Sequence, residues 1–166
     1  MTMAEPIVDR PHMPGYGTLP ADEGGGLLPW SWAADKLTSS HDYWVATVDA
    51  DAAPAVSPVW GVWLDGRVWF SCGRRSRKAR NLERDARVTV TNDTPAEQVV
   101  VEGTAERVVD LSDIERFVAA SNVKYEQSYG LDFYDPEVNG TYAVTPVRVI
   151  ALKDAEFEGS PTRWRF

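Results

Sequence analysis

The pattern of apolar and polar positions divides the chain into six strand-like segments and three helical ones. Residues 43–48 are β-branched and aromatic and lead into an acidic turn, Asp49-Ala50-Asp51. Residues 55–64 read AVSPVWGVWL, a strand whose Pro58 cannot donate to a ladder and so marks an edge or a bulge. Asp65-Gly66 is a two-residue hairpin signal joining that strand to residues 67–72. Residues 87–92 and 98–109 follow, and Gly103 places a bend or bulge in the second. Residues 140–153 form the last long strand, again with an internal proline. Along the hairpin Trp60 and Trp63 fall on opposite faces, because side chains alternate with period two.

Helical spacing appears first at residues 27–37, where Trp30, Ala33, Ala34 and Leu37 share one stripe and Pro29 suits a first helical position. A short helix follows Ser76, its natural N-cap, with Ala79 and Leu82 inward. A longer one covers 111–129, capped by Asp110 or Ser112, with Ile114, Phe117, Val118 and Ser121 inward. Residues 1–26 are rich in Pro and Gly and read as an extended or partly disordered arm outside a domain of residues 27–166. Residues 160–166 read as a tail carrying Trp164 and Phe166. Strands joined by hairpins, with few helices, predict a mainly β (α+β) fold built on a small antiparallel barrel.

Composition narrows the function. The net charge of −8 and pI near 4.7 argue against a nucleic-acid binder, which needs a broad basic surface. One cysteine permits no internal disulfide, and no apolar run approaches membrane-spanning length, so a soluble cytoplasmic protein is expected. Two histidines and one cysteine, without metal-ligand spacing, predict no zinc site. Seven tryptophans point to a planar ligand, a sizeable interface or core packing.

Against this acidic background one segment stands out. Arg74, Arg75, Arg77, Lys78, Arg80, Arg84 and Arg87 face only Glu83 and Asp85, a local charge of +5 in a chain whose remainder sums to −13. The order is strand, glycine-containing loop and helix N-terminus, the end that carries unpaired N–H donors and positive dipole. Arg75, Ser76, Arg77 and Lys78 therefore predict an anion site. Arg77, Arg80 and Arg84 share one side opposite Ala79 and Leu82, which an ordinary solvated helix face also explains. Cys72 near this cationic loop could be a lowered-pKa thiol, with His41 the nearest candidate base in sequence; packing or a cofactor wall is the plainer expectation.

The hairpin SPVWGVWLDGRVWFSCG running into SRKARNLERDARVTV resembles the pyridoxamine 5′-phosphate oxidase-like split β-barrel flavoproteins. The W-x-V-W-L-D-G hairpin and the terminal T-R-W-R-F look more like the actinobacterial branch that uses the deazaflavin coenzyme F420. The resemblance covers residues 27–166 and implies a six- to seven-stranded antiparallel split β-barrel with flanking helices. It implies a homodimer with cofactor sites at the interface and a small-molecule substrate, without nucleic acid or membrane. Carried over by position, Ser57, Pro58, Val59, Trp60 and Gly61 would border the ring. Ser71, Cys72, Arg75, Ser76, Arg77, Lys78 and Asn81 would hold the ribityl chain and phosphate, and Trp164 would close the partner's pocket. The cation surplus favours F420, with its phosphodiester and glutamate carboxylates, over FMN with one phosphate. The expected activity is hydride transfer from reduced F420 to a planar conjugated molecule. The alternatives are an FMN-dependent oxidase or reductase, or a non-catalytic flavin or haem binder. No Arg-x-His-type element of the kind that would grip a pyridoxal phosphate is present near the C-terminus, so the family's namesake activity is not expected. The proton donor is left open among Tyr125, Tyr129, Tyr134 and water.

Overall fold

The computed structural model describes residues 5–166. Its strands are β1 (Ile7–Asp9), β2 (Asp42–Val48), β3 (Pro54–Leu64), β4 (Arg67–Gly73), β5 (Arg87–Asn92), β6 (Glu97–Val108), β7 (Asn139–Lys153) and β8 (Thr162–Arg165). Its helices are α1 (Trp30–Ser39), α2 (Arg77–Arg84) and α3 (Leu111–Tyr125), with short 3-10 turns at Leu131–Tyr134 and Asp154–Glu156. All strand pairs are antiparallel, in the order β1-β8-β7-β4-β3-β2-β5-β6, and β6 also pairs with β7. That last pairing closes six strands into a barrel, with β8 and β1 added outside on β7. The predicted split barrel is what forms.

Two prolines and a glycine lie where strand pairing is one-sided or irregular. Pro58 pairs across to Trp44 in β2, in the part of β3 that has no β4 partner, so its missing N–H breaks no ladder. Pro146 sits opposite Gly103, where the β6–β7 register shifts between Glu102 and Gly103. The bulge predicted at Gly103 is therefore real, and it opposes the second proline.

The interior is one apolar cluster that includes Val45, Val68, Phe70, Val90, Val101, Val144 and Trp164. A second cluster lies between the outer face of β3–β4 and α3, with Val62, Trp69, Ile114, Phe117 and Val118. The four α3 positions read as inward facing are all buried. Asp110 caps the helix through the Ser112 and Asp113 N–H groups, and α3 ends at Tyr125 rather than 129, because Glu126 turns left-handed at φ 53°. Pro29 is likewise the cap of α1, with an extended ψ of 150°, rather than its first helical residue.

The largest departures from the sequence reading are at the two ends. Ile7–Asp9 is a strand paired with β8. Asp9 accepts from Arg163 Nε at 2.7 Å and Nη2 at 2.8 Å, and from Arg165 Nη2 at 2.8 Å. Arg10 Nη1 donates to the Gly159 and Pro161 carbonyls at 2.9 and 2.6 Å. The segment is thus held by ion pairs and backbone bonds, which leave no hydrophobic period to read. The tail forms β8, and Trp164 is fully buried in its own chain's core, edge-on to Trp30 at 5.4 Å. Trp164 is therefore not available to close a partner's pocket. No helix among the described residues is long and apolar enough to cross a membrane.

Candidate functional site

The barrel opens along one seam. β3 and β4 are paired only from the hairpin to Gly61↔Phe70. Beyond that pair β3 follows β2 through residues 54–60, while Ser71, Cys72 and Gly73 of β4 follow β7. Each strand leaves an unpaired edge facing the seam. α2 starts directly after β4 and crosses to the β2–β3 turn, where Asn81 Nδ2 donates to Thr47 Oγ1 at 3.0 Å and Arg84 Nη2 donates to the Val48 carbonyl. Ala79 and Leu82 seal the barrel end beneath it. Of the residues carried over from the resemblance, Ser57, Pro58, Val59, Trp60 and Gly61 thus lie along one edge of the seam, Ser71 and Cys72 along the other, and Arg75, Ser76, Arg77 and Lys78 at its foot.

At the foot, Ser76 caps α2 as expected, accepting from the Ala79 N–H at 3.1 Å. The N–H groups of Arg77 and Lys78 are left at the helix mouth, where an anion is favoured by both donors and dipole. Lys78 lies half-buried over the Phe70 ring at 5.8 Å, with no side-chain acceptor among the described residues, and burial lowers its pKa. Arg75 is exposed and also without an acceptor.

The other cations are engaged, which the charge count alone could not show. Arg77 Nη2 is 2.6 Å from Asp49 Oδ2, Arg80 Nη1 is 2.7 Å from the Arg75 carbonyl, and Arg87 pairs with Asp85. Arg74 donates weakly to the Glu137 carbonyl at 3.4 Å. Asn81 is buried and committed to Thr47. The acidic turn Asp49-Ala50-Asp51 is where Arg77 docks.

One buried group at the foot had no signal in the sequence. Tyr142 is 2% exposed, and its hydroxyl is buried without a hydrogen-bond partner among the described residues. The ring lies back over Gly140, where an added Cβ would stand 2.9 Å from the hydroxyl oxygen. Gly140 is the cross-strand neighbour of Cys72, so the phenol sits beside the Cys72 side chain. Burial pushes the Tyr142 phenol up to about 12 and also raises the Cys72 thiol, despite the Ser76 hydroxyl 3.6 Å from its sulfur and nearby Lys78. A thiol raised in this way is protonated at neutral pH, and His41 lies elsewhere, against Tyr125. Thiol catalysis has no geometric support.

On the upper wall Trp60 is half-exposed and stacks on Tyr125, centroids 4.4 Å apart and planes within 5°. Trp63 faces the other way, packing against Trp30 at 6.1 Å. Lys124 Nζ donates to the Gly61 carbonyl at 2.7 Å, and burial lowers its pKa to about 8. An unfolded lysine titrates near 10.4, so between about pH 8 and 10 the unfolded chain binds the extra proton and stability rises with pH through this residue. Comparing Lys124→Met with wild type by urea unfolding from pH 7 to 10 should show the variant gaining less stability over that range. Parallel curves would contradict it.

A separate cleft of about 980 Å³ lies on the outer side of β2, β5, β6 and β7, lined in part by Val48, Arg87, Val147, Arg148 and Phe166. None of the carried-over residues lines it. The unpaired edges and helix-mouth donors are at the seam, and we place the candidate site there.

A closed six-stranded barrel with a seam opening on a helix mouth defines the split-barrel class. Residues 33–155 match the pyridoxamine 5′-phosphate oxidase family, and the chain belongs to it. Solved structures share the fold. A conserved hypothetical protein from Mycobacterium tuberculosis is 24% identical with a TM-score of 0.67, the match covering 78% of this chain and 87% of that one. A structure described as an F420 reductase is 22% identical with a TM-score of 0.57, covering 69% and 93%. A haem-binding protein from Mycobacterium smegmatis is 17% identical with a TM-score of 0.60, covering 80% and 62%. At these identities the likeness speaks for the fold. No curated protein matches the chain significantly.

Proposed function

We propose that the protein is a homodimeric oxidoreductase that uses reduced coenzyme F420 to reduce a planar conjugated small molecule. The observation that carries this reading is the meeting of the open seam with the mouth of α2, which joins two unpaired strand edges to an anion site. The Arg77 and Lys78 N–H groups, the Lys78 ammonium and the Arg75 guanidinium suit a phosphate, and the edges Ser57–Gly61 and Ser71–Cys72 suit a flat ring. When bound, a reduced deazaflavin supplies a hydride. The residues of this chain orient the ring and shield it from water. The likeness to a structure described as an F420 reductase supports the choice of cofactor.

The cation census favours a second reading. Among the described residues, Arg75 and Lys78 are the members of the basic run whose side chains have no acceptor, and one phosphate, as in FMN, would satisfy them. Arg77 and Arg80 are exposed, however, and such surface contacts are worth about 1 kcal/mol or less, so a longer anionic tail could recruit them. Incubation of the protein with reduced F420 and a panel of planar enones, followed by absorbance, tests the reductase. Bound cofactor that no acceptor oxidises would make the protein a binder.

The dimer has a physical basis in the outer face of β2–β3. Cross-strand pairs place Trp44, Val48, Pro54, Val56, Pro58 and Trp60 on one side of this ribbon. Val56 is 63% exposed and Trp44 45%, a contiguous apolar patch of the kind that marks an interface. Val56→Glu would bury an unpaired charge there and should raise the dimer dissociation constant at least about 100-fold in sedimentation equilibrium. Wild type sedimenting as a monomer at micromolar concentration would remove the dimer from the account.

A further inference from the structure

Gly61 is the point at which β3 changes partners. Its ladder with β2 ends one residue earlier, at Asp42↔Trp60, and its ladder with β4 begins at Gly61↔Phe70. No side chain fits at this position. An added Cβ would stand 2.5 Å from the Trp69 carbonyl oxygen and 3.1 Å from the Tyr43 ring.

The place that His41 would take opposite Gly61 is filled by the last turn of α3. The Tyr125 hydroxyl accepts from the Gly61 N–H at 2.8 Å and lies in donor range of two carbonyls, Gly61 O at 2.9 Å and His41 O. Its single hydrogen serves these two oxygens between them. Lys124 Nζ donates to the same Gly61 carbonyl at 2.7 Å. The phenol therefore sits between the end of β2 and β3, holding the strands apart where the next ladder rung would be. The same ring is the plane on which Trp60 is stacked.

We propose that Tyr125 and Lys124 are positioning residues of the cofactor cleft, wedging β3 away from β2 at Gly61 and so setting both the seam's upper wall and the plane of Trp60. The inference rests on the cofactor reading above for its functional half. Neither residue touches the helix mouth, so their effect differs from that of the phosphate-site cations: they govern how the ring is held rather than whether an anion is attracted.

The test uses the full chain with Tyr125→Phe, which keeps the stacking ring and removes the hydroxyl, and with Lys124→Met and Lys124→Arg. Without ligand, amide exchange at Gly61 should accelerate at least tenfold in Tyr125→Phe, since that N–H loses its acceptor. With F420 or FMN, whichever wild type binds, Tyr125→Phe and Lys124→Met should weaken binding at least fivefold and change the visible circular dichroism of the bound ring. Lys124→Arg, which keeps a cationic donor, should restore the wild-type spectrum. Unchanged exchange at Gly61, or unchanged affinity and spectrum in both variants while wild type binds, overturns the proposal. If wild type binds neither cofactor the functional reading itself fails, and the positioning role falls with it.

Discussion

Gly103→Val is expected to abolish the stably folded barrel. A Cβ at this position would lie 2.2 Å from the Thr145 carbonyl oxygen and 3.0 Å from its carbon, both backbone atoms. No side-chain rotation relieves such a contact, so one of the two strands must move. Those strands are β6 and β7, whose twelve-residue register closes the barrel, and the clash falls at the shift between Glu102 and Gly103. Overpacking in a rigid core costs roughly 1–3 kcal/mol, and a backbone collision at a closing ladder should exceed about 3 kcal/mol. Against a typical stability of about 5–15 kcal/mol, the valine variant should lose most soluble yield or shift its urea midpoint steeply downward. Gly73 provides the control, because a Cβ there meets nothing within 4 Å. Gly73→Ala should change stability by less than about 1 kcal/mol. Equal behaviour of the two variants would mean that the bulge is not what closes the barrel.

The second large effect is expected from Arg75→Ala combined with Lys78→Ala. Each removes a cation that has no other acceptor among the described residues, and each charge-assisted bond to a phosphate is worth about 1.4 kcal/mol or more, a factor of about ten. Together they should weaken cofactor binding roughly 100-fold by fluorescence titration, if the two contacts are independent. Folding should change little. Arg75 is exposed, and burial disfavours the charge of Lys78, so its removal relieves a desolvation cost. Adding Arg80→Ala separates the two cofactors: a further loss is expected for F420, whose anionic tail extends beyond the mouth, and none for FMN. An intact double variant that binds as tightly as wild type would mean that the helix mouth is not the phosphate site.

The strands and most of the core were legible in the sequence because one physical signal governs both. Alternation and hairpin glycines gave β2–β7 to within about a residue, and the apolar stripes of α2 and α3 named the residues that are buried. Ser76 was legible as a cap because few residue types serve there. The two chain ends were not legible. Asp9 holds its strand through Arg163 and Arg165, an arrangement without periodicity, and β8 is only four residues long. Trp164 illustrates the consequence: a tryptophan in an apparent tail is a core residue once that tail is a strand.

Charge was legible in amount but not in assignment. The basic run marked the mouth of α2, yet Arg77 and Arg84 each found an acceptor that only folding brings near, while Arg80 and Arg87 bond within the run to the Arg75 carbonyl and Asp85. The surplus that argued for a polyanionic cofactor is smaller than the count suggested. Tyr142, Lys124 and Tyr125 enter the site from β7 and α3, far along the chain from the hairpin, and their roles depend on the Cys72↔Gly140 register and on where α3 ends. No local pattern could carry that information.

The central claim is that the seam between β3 and β4, with the mouth of α2 at its foot, is a cofactor site. Titration of the purified protein side by side with F420 and FMN, read by fluorescence, tests it most directly. The account predicts saturable binding of F420 at one cofactor per chain, tighter than FMN and lost in the Arg75 and Lys78 double variant. Binding of neither cofactor would contradict it, and would leave the basic helix as a brace for the β2–β3 turn.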